Sequence, residues 1–183
     1  MPNTDPTLLE KLRRKDAEAL DAWVAAHIDD LFRFLRQLTR QKETAEDLTQ
    51  QTFLRAIQGL DRFEGGCAMR TWLHRIAYRE YLNWRKRQRF LSPLTPWLNA
   101  GQRDIEAIEE ADLLLRALDT LPSAYRETFL MYEVQDLSIE EIATVTGSPV
   151  GTVKSRLHHA RQKLRTQLEP TLKEVCYELP GQA

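Results

Sequence analysis

Apolar residues recur at steps of three and four along most of the chain, and no stretch of useful length alternates apolar with polar at strand spacing. That period stacks side chains on one face of an α-helix, so the pattern predicts an all-α protein. Asp5 and Pro6 fit the cap and first position of a short helix, and Asp16 the cap of a longer one. The longer helix carries Leu20, Trp23, Val24 and Ile28, continued at the same spacing by Leu31, Phe34, Leu35 and Leu38. From Glu43 to Gly59, Ala45, Leu48, Thr52, Ala56 and Leu60 share a face with Phe53 and Ile57 beside it, which leaves Asp47, Gln50, Gln51 and Arg55 outside. Gly65-Gly66 marks a turn. A helix of about twenty residues then starts near Met69, with Trp72, Leu73, Ile76 and Ala77 on the buried side. Its exposed side carries Arg75, Arg79, Asn83, Arg85, Lys86 and Arg87, with Tyr78, Tyr81 and Trp84 among them.

Between Phe90 and Ala111 the stripe stops: Pro93, Pro96, Asn99 and Gly101 are followed by acids, which reads as a linker. A core pattern resumes from Leu113 to Leu118 and through Leu121, Tyr125, Phe129 and Leu130, with Pro122 at a helix start. The organisation expected is therefore two small helical domains, residues 1–90 and 112–168, joined by a linker over 91–111 and followed by a tail over 169–183.

Two short helical patterns meet at one glycine between Leu137 and Arg165. Ser138 and Glu141 stand at the spacing of a capping box, Ile142, Ala143 and Val145 form the buried side, and Gly147 supplies a left-handed turn residue. Ser148 and Pro149 are read as N-cap and first-turn residue of the second helix, whose apolar stripe is Val150, Val153, Leu157, Ala160, Leu164 and Leu168. Opposite that stripe lie Lys154, Ser155, His158, His159, Arg161 and Gln162. Helix, glycine turn and basic helix in that order make the pattern of a DNA-reading helix-turn-helix, which places its second helix in the major groove.

Charge changes the picture only when it is divided along the chain. The 183 residues carry a net charge of -1, which suggests no overall affinity for nucleic acid. Yet Arg70 to Arg89 holds seven Lys or Arg against Glu80 alone, and Ser148 to Leu168 holds five and no acid, while Arg103 to Asp119 holds six acids. Two basic blocks are thus masked by acidic stretches. The first interleaves cations with aromatics, a composition suited to a phosphate backbone and unstacked bases.

Cys67 and Cys176 lack the repeated spacing of a zinc site and are read as free thiols. His158 and His159 point about 100° apart on a helix, so they are not expected to form a metal site. No cofactor is expected. An enzyme built on Cys67 with His74 or the histidine pair lacks a legible nucleophile, base and orienter, so no catalytic residue is assigned. No signal peptide or membrane span is recognisable, and the expectation is a cytoplasmic protein without membrane insertion.

The order AEDLTQQTFLRAIQGLDRFEGG, MRTWLHRIAYREYLNWRKRQR, linker, LPSAYRETF and SIEEIATVTGSPVGTVKSRLHHARQKLR resembles the extracytoplasmic-function sigma factors, the minimal two-domain type of bacterial RNA polymerase sigma subunit. The resemblance spans about Asp16 to Leu168. It implies a first domain (sigma region 2) that binds the clamp helices of the largest polymerase subunit and opens the minus-ten element. It also implies a second domain (sigma region 4) that reads the minus-thirty-five element and meets the flap of the second-largest subunit. By the same resemblance, Asp47, Gln50, Gln51, Leu54 and Ile57 are the core-polymerase contacts, with Gln51 where a Glu is usual. Minus-ten contacts map to the loop Phe63 to Arg70 and to Arg75, Arg79, Asn83, Arg85, Lys86 and Arg87, Arg79 standing where many members carry a small polar residue. Housekeeping sigma factors melt DNA with paired tryptophans. Here Leu73 follows Trp72, so melting rests on base capture.

For the minus-thirty-five element the matched positions are Lys154, Ser155, His158 and His159, with Arg156, Arg161 and Arg165 as phosphate partners. An anti-sigma factor holding the protein inactive is implied as well. The residues past Glu169 lie beyond the family pattern. The rival reading is a helix-turn-helix regulator that binds duplex DNA without being a polymerase subunit. It matches the IEEIA to VGTVKSRL run but leaves the Ala45 to Arg89 block unexplained.

Overall fold

The computed structural model describes residues 6–91 and 116–177, with side chains described up to residue 90 in the first segment and 169 in the second. The expected linker over 91–111, the Asp5 cap, Leu113, the Cys176 side chain and the last residues of the tail lie outside that description. Every element among the described residues is helical: α1 (Pro6–Arg13), α2 (Ala17–Thr39), α3 (Lys42–Gly59), a 3₁₀ turn (Leu60–Arg62), α4 (Met69–Leu91), α5 (Ser123–Glu133), α6 (Ile139–Thr146) and α7 (Val150–Tyr177). A further helical turn covers residues 116–119. The all-α expectation holds. Contacts divide the chain into two compact units, Met1–Arg103 with Glu140–Gly147, and Asp104–Ile139 with Ser148–Ala183.

In the first unit α2, α3 and α4 pack on one another, and α1 touches α2 and the 3₁₀ turn. Asp16 caps α2 as its sequence position predicts, its carboxylate accepting from the Ala19 N–H at 2.9 Å. The apolar period is realised as a core of Trp23, Leu31, Phe34 and Leu35 from α2, Ala45, Leu48, Phe53 and Ala56 from α3, and Leu73, Ala77 and Tyr81 from α4, all buried. Trp23 meets Phe53 edge-on with ring centres 5.7 Å apart. A fully buried Leu or Phe in such a core contributes about 1.5–3 kcal/mol. The buried hydroxyls of Thr49 and Thr52 donate back to the Ala45 and Leu48 carbonyls at 2.7 Å, so α3 carries polar residues inward without an unsatisfied group. Arg13 closes the far end of α3 by donating to the carbonyls of Leu60 at 3.3 Å and Phe63 at 2.6 Å. Gly59 leaves room there for Trp72, whose ring carbon a Cβ at Gly59 would meet at 3.3 Å.

In the second unit α5 packs against α7. Leu118, Leu121, Leu130 and Met131 are buried with Val153, Leu157, Ala160 and Leu164, the middle of the α7 stripe read from the sequence, while its end members differ from expectation, Val150 being 38% exposed and Leu168 half-buried. Gly147, the last residue of the stretch grouped with the first unit, has φ +68°, the left-handed turn its sequence position predicts. The start of α7 differs by one residue from expectation. The Pro149 carbonyl accepts the first helical bonds, from Thr152 N–H at 2.9 Å and Val153 N–H at 3.1 Å, so Pro149 stands before the helix rather than in its first turn. The Ser148 hydroxyl accepts from the Arg156 guanidinium at 3.0 Å, which ties the turn to α7 itself. Instead of ending near Leu168, α7 continues to Tyr177.

Candidate nucleic-acid and partner surfaces

On α3 the inward positions Ala45, Leu48, Thr49, Thr52, Phe53 and Ala56 leave Asp47, Gln50, Gln51 and Leu54 exposed on the far side, with Ile57 half-buried beside them. Leu54 is 59% exposed, a large apolar side chain held in water among polar ones. A leucine so placed, flanked by an acid and two amides, has the make-up of a protein contact rather than a phosphate contact. Arg55 lies 3.6 Å from Glu80 of α4, so its charge faces the helix pair and not the same surface.

On α4 the basic side chains divide. Arg79, Asn83, Lys86 and Arg87 are exposed, and Arg75 and Arg85 are half-buried. Arg85 rests on the Tyr81 ring, 5.4 Å from its centre. Two expectations about this helix are corrected. Tyr78 and Tyr81, placed among the exposed rings, are buried at 7% and 1% exposure, whereas Trp72 and Ile76, placed inward, are only half-buried. Leu73 and Ala77 are buried as read, but the core face continues through Tyr78 and Tyr81 rather than through Trp72 and Ile76. Of the aromatics on the exposed side, Trp84 is left half-exposed for stacking.

The start of α4 is pinned by a cluster that the sequence did not announce. Asp30 of α2 accepts from Arg70 Nε at 2.8 Å and from a second Arg70 nitrogen at 3.5 Å, and His74 Nε2 lies 3.8 Å away. His74 is 1% exposed, its Nδ1 sits 2.9 Å from the Arg70 carbonyl, and its ring lies 4.9 Å from that of Phe34. Burial pushes the Asp30 carboxyl up, but the Arg70 hydrogen bond and charge, with His74 and Arg33, outweigh it and hold the group below its ordinary value. Burial pushes the neighbouring His27 down, with Asp30 opposing and Arg70 adding to the shift. Cys67 is a free, half-buried thiol in the preceding loop, and burial raises its pKa against the pull of Arg75. That environment makes an unreactive thiol.

On α7, Lys154, Ser155, His158, His159, Arg161 and Arg165 are exposed and Arg156 is half-buried, opposite the buried stripe. They are not equally free. Arg156 donates to Ser148, Arg165 Nε to Glu169 at 3.1 Å, and Arg161 to a single Glu133 oxygen at 3.0 and 2.7 Å while lying 5.1 Å from the Tyr132 ring centre. The His159 ring stacks on Tyr125 at 5.9 Å and 19°, with His158 edge-on to it at 5.6 Å. Tyr125, Tyr132 and Glu133 of α5 thus contact the exposed side chains of α7. They sit 28 to 34 residues from their partners, and no local pattern marks the pairing. Among the described residues no group of three or more His, Cys, Asp or Glu is placed to hold a metal ion, and no helix is long and apolar enough to cross a membrane.

Two helical units, one with a cationic α4 face and the other with a basic helix behind a glycine turn, define a DNA-binding transcription protein. The family models described as Sigma-70 region 2 and Sigma-70, region 4 match residues 23–90 and 111–164. The RNA polymerase sigma-H factor of Pseudomonas aeruginosa is 31% identical over 187 residues, covering 93% of this chain and 97% of the relative. The ECF RNA polymerase sigma factor SigC of Mycobacterium tuberculosis is 34% identical over 160 residues, covering 85% and 86%. Among solved structures, the sigma factor RpoE in complex with the anti-sigma factor NepR from Bartonella quintana matches with a TM-score of 0.67 at 27% identity, over 81% of this chain and 96% of that one. The fold is also that of CnrH in complex with the cytosolic domain of CnrY, with a TM-score of 0.68 over 90% and 96% at 24% identity. The chain belongs to the extracytoplasmic-function sigma factors of the sigma-70 family, and its function is that of an alternative sigma factor in transcription initiation.

Proposed function

We propose a division of labour between the two halves of this sigma factor. Residues 1–90 dock on the clamp helices of the largest polymerase subunit through Asp47, Gln50, Gln51, Leu54 and Ile57. They capture the minus-ten strand on Arg75, Arg79, Asn83, Arg85, Lys86 and Arg87. Residues 112–168 read the minus-thirty-five duplex with Lys154, Ser155, His158 and His159, with Arg156, Arg161 and Arg165 toward phosphates, and meet the flap of the second-largest subunit. Residues 91–111 link the two. The observation that carries this reading is the separation of an apolar-polar face on α3 from the cationic face on α4, with a third, hydrogen-bonding face on α7.

The protein acts in the cytoplasm, as a specificity subunit without chemistry of its own. An anti-sigma factor holds it inactive, a reading supported by the similar RpoE, which is in complex with the anti-sigma factor NepR. Run-off transcription by core RNA polymerase on a genomic promoter library, with and without this protein, tests the reading. Starts that appear only with the protein and share two spaced motifs are expected. No new starts, together with duplex DNA bound by the protein alone, would refute it in favour of the regulator.

A further inference from the structure

Lys154, His158, Arg161 and Arg165 stand at i, i+4, i+7 and i+11 on α7, within about 60° of one another. They form one stripe along the face assigned to the minus-thirty-five duplex. The stripe is open at its N-terminal end and closed at its C-terminal end. Lys154 has no ion-pair partner among the described residues, whereas Arg161 carries the Glu133 carboxylate and Arg165 carries Glu169. The Glu133 contact is a charge-assisted one of the kind a phosphate oxygen could replace: the Arg161 Nε and one terminal nitrogen both donate to a single carboxylate oxygen, with the guanidinium carbon 5.1 Å from the Tyr132 ring centre. The Glu133 hydrogen bond raises the Arg161 pKa further, so the group stays a cation.

We infer that Glu133 is an internal phosphate mimic that occupies Arg161 in the free protein, and that promoter phosphate must displace it. The inference rests on the reading of α7 as the minus-thirty-five reader. An exposed pair of this kind, with Arg161 and Glu133 side chains 53% and 37% exposed, is weak enough to exchange and strong enough to tune affinity. Glu133 thereby lowers the hold on every duplex alike and leaves discrimination to Lys154, Ser155 and His158, because phosphate contacts carry no base information. Glu169, on the same helix as its partner, makes an ordinary i, i+4 pair and is assigned no such role.

The test uses the full chain reconstituted with core polymerase and measures affinity for promoter duplex across a salt series. Glu133→Gln should bind about two- to fivefold more tightly at low salt, with matched and mismatched minus-thirty-five sequences gaining equally. The log-log salt slope should steepen by about one phosphate contact, roughly 0.9. In an Arg161→Ala background the Glu133→Gln change should have no effect. Unchanged or weaker binding by Glu133→Gln overturns the inference, and so does an equal gain in the Arg161→Ala background, which would reflect general charge removal. Lys154→Ala with His158→Ala is the separate control: if that pair leaves promoter binding intact, the reader assignment itself has failed. Melting of each variant by circular dichroism confirms that a folded chain is compared.

Discussion

Asp30 is where one small change reaches furthest through the first unit, because its carboxylate on α2 holds Arg70 and faces His74 in the first two turns of α4. Asp30→Asn keeps the size and shape of the side chain and removes the charge. An exposed ion pair contributes at most about 1 kcal/mol, and a hydrogen bond to a charged group about 1.5–3 kcal/mol. With Asp30 24% and Arg70 34% exposed the pair lies between these limits, so the loss should be about 1.5 kcal/mol. For a unit of this size that lowers Tm by roughly 6–12 °C. Tryptophan fluorescence in urea reads the change at pH 7.

The charge argument also fixes its pH dependence. The folded carboxyl titrates below its ordinary value of 3.8, so the unfolded chain binds the proton first as pH falls. The advantage of the native chain over Asp30→Asn is therefore full above about pH 4, and is lost as pH falls through the folded value. Equal midpoints at pH 7 would refute the pairing. A gap that persists unchanged well below pH 3 would show that Asp30 acts through shape and not charge.

His27 acts in the same direction in a higher pH window. Its folded pKa lies below the ordinary 6.5, so stability is level above that pH and falls as pH drops below it; His27→Gln should lose less Tm than the native chain between pH 7.5 and 5.5. On α3, Asp47→Ala with Gln50→Ala should weaken association with core polymerase at least tenfold while Tm stays within a few degrees, since both side chains are exposed. A pull-down with native affinity would count against the clamp face. On α7, Lys154→Ala with His158→Ala should abolish specific run-off transcription while polymerase binding is retained, and parallel loss of both would contradict a separate reader face.

What could be read from the chain beforehand was what each helix settles alone. Asp16 caps α2, Gly147 turns left-handed, and Val153, Leu157, Ala160 and Leu164 line the buried side of α7, because each depends on residues within a few positions. The facing of α4 was not legible for a related reason. Trp72 with Ile76, and Leu73 with Ala77 and Tyr81, make two apolar stripes one residue apart, equally good by period. The choice falls to the neighbours, where Phe34 receives His74 and Gly59 receives Trp72. Sequence could count cations on α7, and the i, i+4 spacing of Arg165 and Glu169, but could not see that Glu133 of α5 takes Arg161. Of its five, Arg156, Arg161 and Arg165 are engaged by Ser148, Glu133 and Glu169, and Lys163 lies over the Tyr125 ring at 6.0 Å. The electrostatic footprint of the reader helix is therefore smaller than its formal charge. With only Arg161 and Arg165 ion-paired, its salt dependence on duplex DNA should reflect nearer three phosphates than five until Glu133 is neutralised. A basic helix in this fold is an upper limit on phosphate contacts, and the carboxylates of the helix packed beside it determine how far below that limit the protein works.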